Sequence, residues 1–90
     1  MARIAIRSDA VVLKDGKILL EGGSLIGKWV EEGEDAEEAC KKKARERSLD
    51  INILKPLHPM IQWGVDDKGK KAVFVSLNYL AELKGEENGG

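Results

Sequence analysis

The stretch Ala72 to Ala81, AVFVSLNYLA, constrains this chain more than any other. Val73, Val75, Leu77, Tyr79 and Ala81 alternate onto one face, with Ser76 and Asn78 on the other, which is the period-two pattern of a half-buried strand. A strand of that length needs hydrogen-bonding neighbours, so the rest of the chain is read for its partners. Two are predicted near the N-terminus: Ile4-Ala5-Ile6 with Ala10 to Leu13, and Ile18 to Leu20, separated by Lys14-Asp15-Gly16-Lys17. Asp-Gly between apolar runs marks a hairpin, because a type I′ turn needs positive φ at both central residues. Ile51 to Leu54, stopped by Pro56 and Pro59, and Met60 to Val65 are read as further strands. The segment from Glu21 to Gly33 holds four glycines and no clear period, and it is assigned as loop.

One helix is expected, from Ala36 to about Ser48. Asp35 is placed to cap it, with Glu38 three residues on completing a capping-box-like pair. Ala36, Ala39, Cys40 and Ala44 form a stripe of small residues at helical spacing, which allows close approach to a sheet. Glu37 with Lys41 and Glu38 with Lys42 are i,i+4 pairs in the favourable order. The reading is therefore an α+β domain over residues 1–83: a mixed or antiparallel sheet of about five strands with one principal helix. A polar, glycine-rich tail from residue 84 to 90 is expected to lie outside the packed fold.

Ninety residues bury a smaller share of their surface than a larger domain does, and only Trp29, Trp63, Phe74 and Tyr79 are aromatic. The core is expected to be thin, resting on Ile, Val, Leu and Ala, and a homodimer would supplement it. Both tryptophans are expected to fill that core, the alternative being to stack on a nucleobase. A formal charge of −1 provides no global field to draw in nucleic acid or an anionic membrane. A single cysteine, no long apolar N-terminal stretch and no run of the roughly 18 apolar residues a membrane helix needs point to a cytoplasmic protein. Cys40, on the small-residue stripe, is expected to be buried and inert. His58, between Leu57 and Pro59, is expected to be structural.

Gly27-Lys28-Trp29, Val30 to Glu34, Glu37-Glu38-Ala39 and Leu49-Asp50-Ile51, in an order of two strands, loop, acidic turn, helix and strands, resemble the Nudix hydrolase family. That resemblance implies cleavage of nucleoside diphosphate derivatives, with Mg²⁺ held by helix glutamates because divalent metal neutralises developing charge and activates water. The family signature runs from glycine through a glutamate to an Arg-Glu pair, a Glu-Glu pair and a final glycine. Counted from Glu34, the Arg-Glu pair falls on Lys42-Lys43 and the Glu-Glu pair on Glu46-Arg47. Counted back from Leu49-Asp50, with one residue deleted, the pairs fall on Lys41-Lys42 and Arg45-Glu46. Glu46 stands alone among cations in either register. The family's Pro-Gly-Gly is absent between Trp29 and Glu31, and the chain stops where the family continues into a further strand and helix.

Two functions follow. In the enzymatic one, a Mg²⁺-dependent pyrophosphohydrolase, Glu34 and Glu46 are the candidate catalytic residues, Glu46 the metal ligand, and Lys42, Lys43 and Trp29 the substrate contacts. In the other, a weakened or inactive module binds a nucleotide, another phosphorylated small molecule or a protein. Glu46 then reads as an exposed partner of Lys42, and the cations from Lys41 to Arg47 as a solvated face. A third, weaker reading takes the terminal Gly89-Gly90 as the diglycine of a ubiquitin-like carrier.

Overall fold

A computed structural model describes residues 3–84. The elements run β1 (Arg3–Lys14), β2 (Lys17–Ile18), β3 (Ile26–Trp29), α1 (Ala36–Glu46), β4 (Ile51–Pro56), β5 (Met60–Val65) and β6 (Lys71–Leu83). All six strands join one mixed sheet whose spine is a parallel pairing of β1 with β6, from Arg3↔Ala72 to Leu13↔Glu82. β2 and β3 pair antiparallel with β1, and β4 and β5 antiparallel with β6. Over the described residues the chain adopts the expected α+β class, with a mixed sheet and one helix. Gly89-Gly90 and the rest of the tail from 85 onward lie outside the described residues, whereas Lys84 N–H still donates to Asp50 O at 2.8 Å.

The Asp-Gly hairpin forms as expected, with φ of 52° at Asp15 and 75° at Gly16. Its second strand is only two residues long, although Leu19 N–H extends it by donating to Val12 O at 2.8 Å. The assignment of Glu21 to Gly33 as loop requires correction, because its middle contains β3, the sixth strand, paired with Arg7 to Ala10. Gly27 obscures the pattern and also makes the strand possible. A Cβ there would stand 2.1 Å from Asp9 Oδ1 and 2.2 Å from Ser8 O, so only glycine fits opposite Asp9.

Asp35 caps α1 as its sequence position implies, accepting from Glu38 N–H at 3.1 Å. The helix stops at Glu46, two residues early, because Ser48 turns left-handed with φ of 62°. Leu49 N–H then reaches Ala44 O and Ser48 N–H reaches Arg45 O, both at 2.9 Å, which is the Schellman closure usually given to glycine. The expected i,i+4 ion pairs are replaced by i,i+3 pairs, Glu38 with Lys41 at 3.6 Å and Lys43 with Glu46 at 3.8 Å.

Ala39, Cys40 and Ala44 are fully buried, and Cys40 and Ala44 pack with Ala10, Val12, Ile26, Ile51, Tyr79 and Ala81. The Ser8 hydroxyl ties this layer down by donating to Ala36 O. Burial pushes the Cys40 thiol and the Tyr79 phenol above their ordinary values, so both stay neutral at physiological pH. The expectation that tryptophans fill the core is overturned: Trp29 is 48% exposed and Trp63 74%. Trp29 projects from the face of the sheet opposite α1, and Trp63 lies on β5 beyond the helix, so neither indole is covered by it. Among the described residues, no helix is long and apolar enough to cross a membrane.

Candidate functional site

The loop from β3 into α1 is organised by Glu34. Gly33, at φ of 82°, lets the chain turn so that Glu34 N–H donates to Glu31 O at 2.9 Å. The Glu34 carboxylate then closes the turn from the other side. Its Oε1 accepts from Glu31 N–H at 2.9 Å, and its Oε2 accepts from Lys28 Nζ at 2.9 Å. The Glu31 N–H, then the Lys28 ammonium, hold the Glu34 carboxyl below the usual carboxylate range. Lys28 is correspondingly raised, first by its bond to Glu34 and further by the charges of Glu31 and Glu46. Lys28 thus sits in the field of three carboxylates, a position in which a cation is electrostatically favoured.

Trp29 follows Lys28 and, by strand alternation, projects from the opposite face of the sheet. Its ring lies 6.0 Å from that of Phe74, tilted by 55°, and the Arg7 guanidinium stands 5.5 Å from its centroid. Arg7 also bonds Asp9 at 3.1 Å. Trp29 forms part of the wall of two clefts. One, of about 740 Å³, has Ala5, Ala72 and Phe74 beside Trp29 and carries Glu31, Glu32, Glu34, Asp66 and Asp67. Asp66 is held in its ionised form chiefly by Lys70 N–H, then Lys68 N–H, with Arg3 adding to the effect. The other cleft, of about 330 Å³, gathers Arg7, Lys28, Lys43 and Arg47 with one carboxylate, Glu21, which pairs with Arg47.

The residues singled out from sequence are therefore divided. Glu34 and Trp29 share the larger cleft, and Lys43 and Trp29 the smaller one. Lys42 lines neither, though its charge also favours ionisation of Glu34. Glu46 is half exposed and pairs with Lys43, not with Lys42 as expected. His58 is exposed. Sequence reasoning did not single out Lys28, Arg7 or Phe74. Lys28 was detectable as the cation six residues before Glu34, but only the tight turn at Gly33 brings the two together.

A divalent cation does not fit this donor set. Mg²⁺ requires near-octahedral oxygen ligation, commonly through one or two carboxylates with waters. One Glu34 oxygen faces a backbone N–H and the other an ammonium, while Glu46 faces Lys43. Among the described residues no three Asp, Glu, His or Cys side chains converge as a metal site would require. What the arrangement offers is an aromatic plane between an acidic cleft and a basic one. No protein-family model and no curated protein matches the chain.

Proposed function

We propose that this protein is a Nudix-like module that binds a nucleotide or a similar phosphorylated small molecule and has lost metal-dependent pyrophosphate hydrolysis. The observation that carries this reading is the 2.9 Å bond from Lys28 Nζ to Glu34. It supplies a positive charge at Glu34, one of the two candidate catalytic carboxylates, while Glu46, the expected metal ligand, pairs with Lys43. Catalysis of phosphoryl transfer depends mainly on charge stabilisation by correctly placed cations, and a lysine engaged by Glu34 does not activate water as a metal does. The exposed Trp29 provides a face for a base, and Arg7, Lys28 and Lys43 beside it provide donors for phosphate oxygens. A free, buried Cys40 is in keeping with a reducing compartment, so a cytoplasmic setting belongs to the same reading.

The test uses a panel of nucleoside diphosphate derivatives, with and without Mg²⁺. Expected are no phosphate release, a rise in melting temperature and quenching of tryptophan emission that Trp29→Ala removes. Metal-dependent turnover abolished by Glu46→Gln would overturn the proposal.

A further inference from the structure

The helix covers only part of its face of the sheet. Beyond it, the pairing registers align Ile4, Val73 and Trp63 in one row across β1, β6 and β5, and Ile6, Val75 and Ile61 in the next. Residues in register across neighbouring strands point to the same side. Alternation along β1 places these rows on the side of Ser8, Ala10 and Val12, where α1 packs. Unlike those residues, Ile4, Ile61, Trp63 and Val65 are all more than 60% exposed. Four largely exposed apolar side chains on a face that runs across three strands form the kind of patch that on a monomer is usually functional.

This patch ends on β5, a strand that pairs with β6 and has its other side open. Its sequence, Met60-Ile61-Gln62-Trp63-Gly64-Val65, contains no charged side chain and no proline, and every residue in it is exposed. Edge strands are normally protected by lysine, proline, a bulge or a cover, because bare N–H and C=O groups template further pairing. The turn that follows shows which backbone groups are bare. Asp66 N–H donates to Lys70 O at 2.8 Å, so the hydrogen-bonded positions facing β6 recur at Gly64, Gln62 and Met60. The intervening Ile61, Trp63 and Val65 therefore direct their N–H and C=O groups to the open side. These are the three residues whose side chains end the apolar rows.

We propose that β5 pairs antiparallel with β5 of a second copy of this chain, extending the sheet across a two-fold axis at Trp63. Antiparallel pairing of a strand with itself is isologous, so one surface completes both sides. Centring on Trp63 sets Ile61 opposite Val65 of the second copy and Trp63 opposite its own counterpart. All three bare residues on each chain are then paired. A register centred on Gln62 would place Val65 opposite Pro59, which has no N–H to give. Cross-strand contact between the two Trp63 side chains, and between Ile61 and Val65 of the second copy, adds apolar burial to the backbone ladder. The pairing is independent of nucleotide binding, since Trp29 lies on the far side of β1.

The experiment is light scattering after size exclusion over a range of concentrations, together with amide hydrogen exchange of the full chain. Twice the chain mass is expected, with exchange at Ile61, Trp63 and Val65 slowing as concentration rises. Trp63→Lys should return the mass to one chain, and Leu54→Lys on β4 should leave it doubled. A wild-type monomer, including one that captures some other extended peptide, would overturn the pairing. A dimer in which those three amides exchange at a concentration-independent rate would overturn it equally, and that readout needs no variant to fold.

Discussion

The two halves of the helix-side face of the sheet have similar apolar patterns and opposite fates. Ala10, Val12, Ile51, Tyr79 and Ala81 lie under α1 and are buried, while Ile4, Ile6, Ile61, Trp63 and Val65 are exposed. Strand alternation therefore determines only which side a residue faces. Burial is decided by the cover, and the cover here is an eleven-residue helix seated on Ala39, Cys40 and Ala44. Small residues bring that helix close and so give a dense but narrow core. What they leave bare includes the largest side chain of the face, Trp63.

The sharpest way to break this comparison is to make one substitution in each half. Ile51 is 1% exposed and Ile61 is 68% exposed. Ile51→Ala should cost about 2–5 kcal/mol, the sum of lost transfer energy and the cavity left under α1. Ile61→Ala, measured by denaturant unfolding at dilutions where the chain is monomeric, should stay within about 0.5 kcal/mol. Equal costs would mean that the bare half is covered even in the monomer.

A smaller effect tests whether the helix is what distinguishes the halves. Asp35→Ala removes the acceptor for Glu38 N–H and should lower stability by about 1 kcal/mol. Hydrogen exchange should then quicken in the first turn of α1 and leave the β5–β6 ladder unchanged. If β5 loosened by the same amount, the two halves would be one cooperative unit.

The parts of this architecture visible in the sequence are those encoded locally. Asp15-Gly16 has a turn that only positive φ satisfies, Asp35 has a capping geometry, and β6 has its alternation. β3 was hidden because its evidence lies elsewhere in the chain. Four residues containing a glycine carry no period, and Gly27 makes sense only against Asp9, eighteen positions away in sequence and directly opposite in the sheet. The early end of α1 was equally obscure, since Ser48 takes a left-handed conformation for which serine is not the usual residue. The tryptophans misled because composition shows how many aromatics exist but not which face, or which strands, the helix covers. At the candidate site, Glu34 and Trp29 could be named from a motif resemblance. The pairing of Glu34 with Lys28 could not, because it depends on how tightly the chain turns at Gly33.

That pairing yields the smallest prediction, at the seam between the halves, where Glu34 lines the same cleft as Ile4 and Ile6. Its carboxyl is held below the usual range in the folded chain by Glu31 N–H and by Lys28. A depressed folded value means that the stabilisation is present at pH above the unfolded glutamate value, near 4.3, and is lost as pH falls through the lower folded value. Lys28 has the opposite sign: its raised value contributes below the unfolded lysine range and is lost only as pH rises through it. Between those limits stability should be flat with respect to this pair. Urea midpoints taken from pH 7 down to 3 should fall less steeply for Glu34→Gln than for the wild type, because the variant has no carboxyl to titrate there. Parallel profiles would show that Glu34 gains nothing from Lys28 in solution, and the lysine would then be free to meet an incoming phosphate at no electrostatic cost.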